Sequence, residues 1–162
     1  MTPMKAAIPQ TPGCGSPVVT NPLQPGVLMT FRKPLDYSAV WSLQQEFHAE
    51  RLLGNRADTL MLLQHLSVYT AGRRTRPVHL HPEVASSGDL GIPIVTVNRG
   101  GSVTYHGPGQ LVAYPIFALS RYARGAKAYV HMLEEVLIRT LRAWDIHGYR
   151  VAKAPGIWGR DR

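Results

Sequence analysis

Two stretches of this chain carry apolar residues at three- and four-residue intervals, and each is bounded by helix signals. In the first, Tyr37, Val40, Trp41, Gln44 and Phe47 fall near one face behind Asp36, which predicts a helix capped by Asp36, running to about Leu53 and stopped by Gly54. In the second, Val130, Leu133, Leu137, Leu141 and Trp144 predict a helix from Lys127 to about Trp144, with Gly148 after its end. The remaining apolar runs are short. Residues 27–31 read as a first strand, and 59–64, almost wholly apolar, as a strand covered on both faces. Three more strands are predicted over 92–97, 102–105 and 111–118, and 149–158 is weakly strand-like with a break at Pro155 and Gly156. Helices alternating with strands define an α/β (α+β) class, a mixed sheet flanked by helices.

Residues 1–26 hold six prolines and three glycines without apolar periodicity, so they read as a flexible leader, and 27–162 as one domain. With 44% hydrophobic residues the 162-residue chain can build one core. No apolar run reaches membrane-spanning length and the first residues lack a secretory apolar segment, which predicts a cytoplasmic protein without a membrane partner. The only cysteine, Cys14, fits a reducing compartment and excludes an internal disulfide. Lys and Arg total 18 against 10 Asp and Glu, a formal charge of +8, and this excess predicts an acidic partner. The basic residues come in scattered pairs such as Arg73 with Arg74 and Arg121 with Arg124, which argues against nucleic acid.

Candidate chemistry concentrates in RGGSVTYHGPGQLVAYP, residues 99–115. Gly100 and Gly101 bare the backbone, whose N–H groups can then donate to a carbonyl or carboxyl group. In a strand Thr104 and His106 face one way, Val103 and Tyr105 the other. His106 has the side chain that titrates nearest neutrality, and Gly107-Pro108-Gly109 turns the chain so that it stands at a strand end, where pockets open. Each feature also has a plain structural explanation: a hairpin turn, a histidine bonded to a carbonyl, loop punctuation. Their concentration between strands favours a pocket. Elsewhere His79 and His81 form an H-x-H pair with no evident third ligand, so no metal is expected. Met29, Met61 and Met132 read as core filler, Tyr69, Tyr105 and Tyr114 as packed rings with bonded hydroxyls, and Glu134 and Glu135 as solvated helix residues.

RGGSVTYHGPGQLVAYP closely resembles the signature of the octanoyltransferases of lipoate biosynthesis, the lipoyl(octanoyl) transferase family. Upstream, TLMLLQHLSVYTAGRR, residues 59–74, resembles that family's strand followed by a His-Pro-Pro-Val-Tyr-Thr-type turn and Gly-Arg, with Leu66 and Ser67 in place of the usual proline pair. Downstream the likeness runs to KAPGIW, so it covers about residues 27–158. It implies a fold like the catalytic domain of biotin and lipoate protein ligases. It also implies transfer of an octanoyl group, without a cofactor, from octanoyl-acyl carrier protein to a lysine of lipoyl domains in 2-oxoacid dehydrogenase and glycine cleavage proteins. By resemblance Arg99, Gly100, Gly101, Ser102, Val103, Thr104, Tyr105 and His106 line the acyl site, with the glycines close to the acyl chain and Thr104 and His106 at the thioester end. Arg99 can equally be a structural partner for a carboxylate.

The family's nucleophilic cysteine and the lysine that lowers its pKa lie beyond the segment matching PGIW, and neither maps onto a residue here. The domain therefore reads as incomplete at its C-terminus, and no catalytic residue is transferred. Cys14 lies on the wrong side of the motif, and Lys153 precedes PGIW. Two alternatives stay open: an ATP-dependent lipoate or biotin ligase of the same fold, and a noncatalytic acyl- or protein-binding remnant. The first expects a Gly-Gly-Gly loop and a phosphate-handling lysine, which residues 99–110 match less well; the missing cysteine favours the second.

Overall fold

The computed structural model describes residues 25–79 and 91–159. Most of the Pro/Gly-rich leader, Cys14 and His81 lie outside them. The centre of the fold is one stretch of chain, residues 59–71, that runs as two strands end to end. Its first part, β2 (Thr59–Leu63), lies between β1 (Val27–Thr30), parallel to it, and β6 (Val112–Ile116), antiparallel. Its second part, β3 (Val68–Ala71), lies between β4 (Ile94–Thr96), parallel, and β5 (Val103–His106), antiparallel. Each three-stranded sheet thus has one parallel and one antiparallel pairing.

The break between β2 and β3 falls at His65. Leu35 forms a parallel bridge with His65, its N–H donating to Gln64 O at 2.9 Å while Leu66 N–H donates to Leu35 O at 3.0 Å. On the other side residues 107–111 lie opposite 64–67, so the strand pair carries one extra residue where it bends, as a bulge does. The resemblance implies a turn through residues 65–70; Val68, Tyr69 and Thr70 form β3 instead. Val68 and Thr70 are β-branched and buried, and burial on an inner sheet face outweighs the turn reading of the segment.

Helix α1 (Tyr37–Leu52) matches expectation closely. The Asp36 carboxylate accepts from Ala39 N–H at 2.9 Å, and Gly54 follows the helix with φ +78°, a conformation that favours glycine. Its inner face buries Val40 and Phe47 against Met61 and Leu63, with Met29, Leu43, Val112 and Ile116 around them. Nearer its start, Tyr37 joins Val68 and Val97 in a second cluster flanked by Trp41 and Val95. Burying each such side chain contributes roughly 1.5–3 kcal/mol.

Asp58, just before β2, ties the end of α1 to the chain after β6. Its carboxylate pairs with Arg51 at 2.5 Å and accepts from Ala118 N–H at 2.9 Å and the Tyr122 hydroxyl at 2.7 Å. Burial alone would raise its pKa. The Ala118, Tyr122 and Arg51 donors outweigh that and hold it below the usual carboxylate value.

The second helix, α2 (Ala126–Arg142), ends two residues short of the predicted Trp144. Ala143 caps it with its N–H on Arg139 O, Trp144 N–H closes a turn on Leu141 O, and Asp145 takes φ +58°. It packs on a hairpin of β7 (Gly148–Val151) and β8 (Ala154–Gly159). The predicted break at Pro155 and Gly156 is misplaced: the turn is at Ala152 and Lys153, where Lys153 has φ +65°, and Pro155 and Gly156 lie within β8. Glu134 and Glu135 are not merely solvated. Glu134 accepts from Gly156 N–H at 3.0 Å and from Arg150 at 3.2 Å, and Glu135 from Arg150 at 3.0 Å, pinning the hairpin to the helix. Of the methionines, Met61 is fully buried and Met29 packs on the core, whereas Met132 is half-buried on α2, apart from both clusters.

Candidate functional site

The turn between β4 and β5 is built against the end of β3. Gly72 N–H donates to Ser102 O at 3.1 Å, Arg73 N–H to Arg99 O at 3.1 Å and Arg74 N–H to Gly101 O at 3.0 Å. The two segments touch so closely that a Cβ at Gly72 would stand 2.7 Å from Gly101 O and 3.0 Å from both Gly100 O and an Arg99 Nη1. Gly101 takes φ +80°, which favours glycine. A Cβ on Gly100 would meet nothing within 4 Å. Of the two glycines, one is required by backbone conformation and the other borders open space.

Arg99 fixes this turn. Its guanidinium donates to Thr70 O at 2.7 Å, to Thr70 Oγ1 at 2.7 and 3.2 Å, and to Gly100 O at 2.9 Å. Sequence left it either lining the site or pairing with a carboxylate. Among the described residues its partners are instead the carbonyl and hydroxyl of Thr70 on the neighbouring strand and the carbonyl of Gly100 in its own turn. No acceptor for the Gly100 or Gly101 N–H is present among the described residues, so these donors are available to a ligand.

On β5 the alternation is as expected. Thr104 pairs across from Thr70 and His106 from Val68, on the face covered by α1, while Tyr105 pairs with Tyr69, their rings 5.2 Å apart. Tyr105 is exposed, its hydroxyl 3.0 Å from Ser67 Oγ, and its ring covers Gly107, where an added Cβ would have to displace it. His106 does not stand open at a strand end. It stacks on Tyr37 at 6.1 Å and meets His65 edge-on at 5.7 Å. Its Nδ1 lies 2.7 Å from Gln110 Oε1, an oxygen that can only accept, so Nδ1–H donates to it.

Behind His106 lies a polar cluster that the sequence reading did not single out. His65 is fully buried; its Nδ1–H donates to Leu35 O at 3.2 Å, which leaves Nε2 to accept from the Tyr114 hydroxyl at 2.9 Å. Burial lowers the His65 pKa, the Leu35 bond opposes this, and nearby His106 lowers it further. Burial raises Tyr37 and pushes Tyr114 up to about 12. All three are therefore neutral at pH 7, a neutral hydrogen-bonded floor beneath His106. The signal present in the quoted QHLSVYT is a histidine just after an apolar strand; its Tyr114 partner comes from β6 and lies outside that quote.

Ser102 points elsewhere, into a cavity of about 500 Å³ lined with Arg73, Arg74, Thr75, Arg76 and His79. Val103 and Thr104 are half-buried. Thr104 and His106 thus share the α1 side of β5 and Arg99 reaches Thr70 on the neighbouring strand, whereas Ser102 and Tyr105 face other surroundings. Among the described residues no helix is long and apolar enough to cross a membrane.

A kinked central strand is shared by two small mixed sheets, with one long helix over its buried face. The fold is similar to that of P. falciparum LipL1, solved in complex with lipoate, at a TM-score of 0.54 and 12% identity, covering 79% of this chain and 39% of that one. It is also similar to T. acidophilum Ta0514, a candidate lipoate protein ligase, at 0.55 and 15%, covering 82% and 55%. At those identities the likeness concerns fold alone. Residues 36–162 match the lipoyl protein ligase A/B catalytic domain, and the chain belongs to that family. Its curated relatives include the octanoyltransferase of Chloroflexus aurantiacus, 45% identical over 125 residues that make up 77% of this chain and 56% of the relative. That of Thermosynechococcus vestitus is 43% identical over 125 residues, 76% and 54%. The chain spans about half the length of the curated relatives it matches.

Proposed function

We propose that this protein acts in protein lipoylation as an octanoyltransferase, taking an octanoyl group from octanoyl-acyl carrier protein and delivering it to a lysine of lipoyl domains in 2-oxoacid dehydrogenase and glycine cleavage proteins. The observation that carries the reading is 45% identity to an octanoyltransferase over 125 residues, joined to a turn whose bare backbone borders open space at Gly100. Arg99 holds that turn, the acyl chain approaches the glycines, and His106, with Nδ1 bonded to Gln110, stands toward the thioester end. The formal charge of +8 suits acidic protein partners and speeds encounter with them.

Transfer through a thioester breaks the donor thioester and forms a new one on an enzyme thiolate; the lysine amine then attacks that carbonyl and the thiol leaves. A thiolate needs a basic or positive neighbour to be populated at neutral pH. The only thiol in these 162 residues is Cys14, outside the described structure. Among the described residues no thiol is present, so these residues are assigned the binding of octanoyl-acyl carrier protein and none of them the thiolate step.

The test is calorimetry with octanoyl- and unacylated acyl carrier protein, beside mass spectrometry of a lipoyl domain. Tighter binding of the acylated carrier is expected, with the lipoyl domain unchanged in mass. Equal binding of the two carriers would overturn the acyl-site assignment. Octanoylated lipoyl domain that disappears with Cys14→Ser would overturn the dismissal of Cys14.

A further inference from the structure

The cavity beside Ser102 is built of donors. Arg73, Arg74 and Arg76 line it, and no carboxylate is among its described lining residues. Its walls are fixed by the backbone, because the Arg73 and Arg74 N–H groups bond Arg99 O and Gly101 O, and Thr75 N–H closes a turn on Gly72 O at 3.0 Å. His79 is held in one tautomer. Arg76 N–H points at its Nδ1 at 3.2 Å and Ser102 Oγ lies 2.5 Å from the same atom; a backbone N–H can only donate, so Nδ1 accepts and the ring N–H is on Nε2. His79 thus adds an N–H donor to three forks. The Thr75 hydroxyl, buried at the same wall, has no hydrogen-bond partner among the described residues.

We propose that this cavity is a subsite for a phosphate ester. A tetrahedral phosphate offers several acceptor oxygens to donors converging from different sides, which suits three guanidinium groups and an imidazole N–H better than one planar carboxylate does. A volume of about 500 Å³ also exceeds one phosphate, so the ester's organic part enters with it. Two sources share this chemistry: the phosphopantetheine arm of an acyl carrier and a nucleotide. The subsite does not depend on acyl transfer, but Ser102 belongs both to it and to the stretch bearing the acyl site, so a carrier arm held here is delivered beside the glycines.

The experiment titrates the 162-residue chain with inorganic phosphate, phosphopantetheine, pantetheine and AMP, following the His79 ring by NMR and affinity by calorimetry. Phosphopantetheine binding at least tenfold tighter than pantetheine is expected, with His79 shifting for phosphate itself. Arg74→Gln with Arg76→Gln should remove that difference while the melting temperature stays; Arg142→Gln, at the end of α2, should not. Equal affinity for phosphopantetheine and pantetheine, or an unmoved His79 ring in the unsubstituted chain, would overturn the proposal whatever the variants do. A preference for phosphopantetheine over AMP assigns the site to a carrier arm, and the reverse to a nucleotide; both sustain the phosphate subsite. Failure of acyl-carrier binding with phosphate binding intact would count against the transferase reading alone.

Discussion

Replacing Gly72 by alanine puts one methyl group where the structure has no room for it. The new Cβ stands 2.7 Å from Gly101 O, where ordinary contact begins at 3.4 Å, so one segment must move by about half an ångström or more. Neither is free to do so. Three backbone bonds of 3.0–3.1 Å join Gly72, Arg73 and Arg74 to the opposite turn, and Arg99 clamps that turn to Thr70. Overpacking of this kind costs roughly 1–3 kcal/mol, which in a domain this size lowers the melting temperature by about 2–12 °C. Gly100→Ala is the matched control, since its Cβ meets nothing and its φ is not positive. Thermal melts followed by circular dichroism should show Gly72→Ala clearly destabilised and Gly100→Ala within about 1 °C of the parent. If Gly72→Ala melts with the parent, the close approach of β3 to the glycine turn is not a constraint and the account of Arg99 as its clamp is wrong.

Two further outcomes follow from the buried polar groups. Asp58→Asn breaks a buried ion pair and should cost about 3 kcal/mol at neutral pH, measured by urea unfolding. Because the folded Asp58 pKa lies below its unfolded value, its contribution is full above that value, near pH 4, and is lost as pH falls through the folded one. The variant should therefore show a shallower loss of stability below about pH 4, and an unchanged acid limb would contradict the pairing. Tyr114→Phe removes the donor to His65 Nε2 and should cost about 1–3 kcal/mol in the same assay; a neutral result would mean that Nε2 has another partner.

What could be read from sequence follows from how local each signal is. Helix α1 was legible to within a residue because Asp36, the Val40 and Phe47 spacing and Gly54 all act within one or two turns of chain. The strand β3 was not, because Val68, Tyr69 and Thr70 are strand residues only through pairing with Ile94 and Tyr105, tens of residues away. The faces of Thr104 and His106 followed from the pleat alone, but not that α1 would bring Tyr37 over His106. Nor could sequence foresee that the Arg99 fork would turn onto Thr70, since that depends on the register of β3 against β5. Lys153, passed over as a candidate, turned out to mark the β7–β8 turn through its positive φ. Of the apolar positions that predict helix α2, Val130 and Leu137 are exposed, as is Trp144 just past its end, at 75%.

The central claim is that the backbone at Gly100 and Gly101 and the strand to His106 receive an acyl chain. The most direct measurement is an NMR titration of the chain with octanoate, in the parent and in Gly100→Ala. The account predicts shifts at residues 100–106 and little change at Arg121, with Gly100→Ala weakening binding at an unchanged melting temperature because its methyl group occupies the open space. Shifts confined to Arg121 and His79, with Gly100 to His106 unmoved, would contradict it.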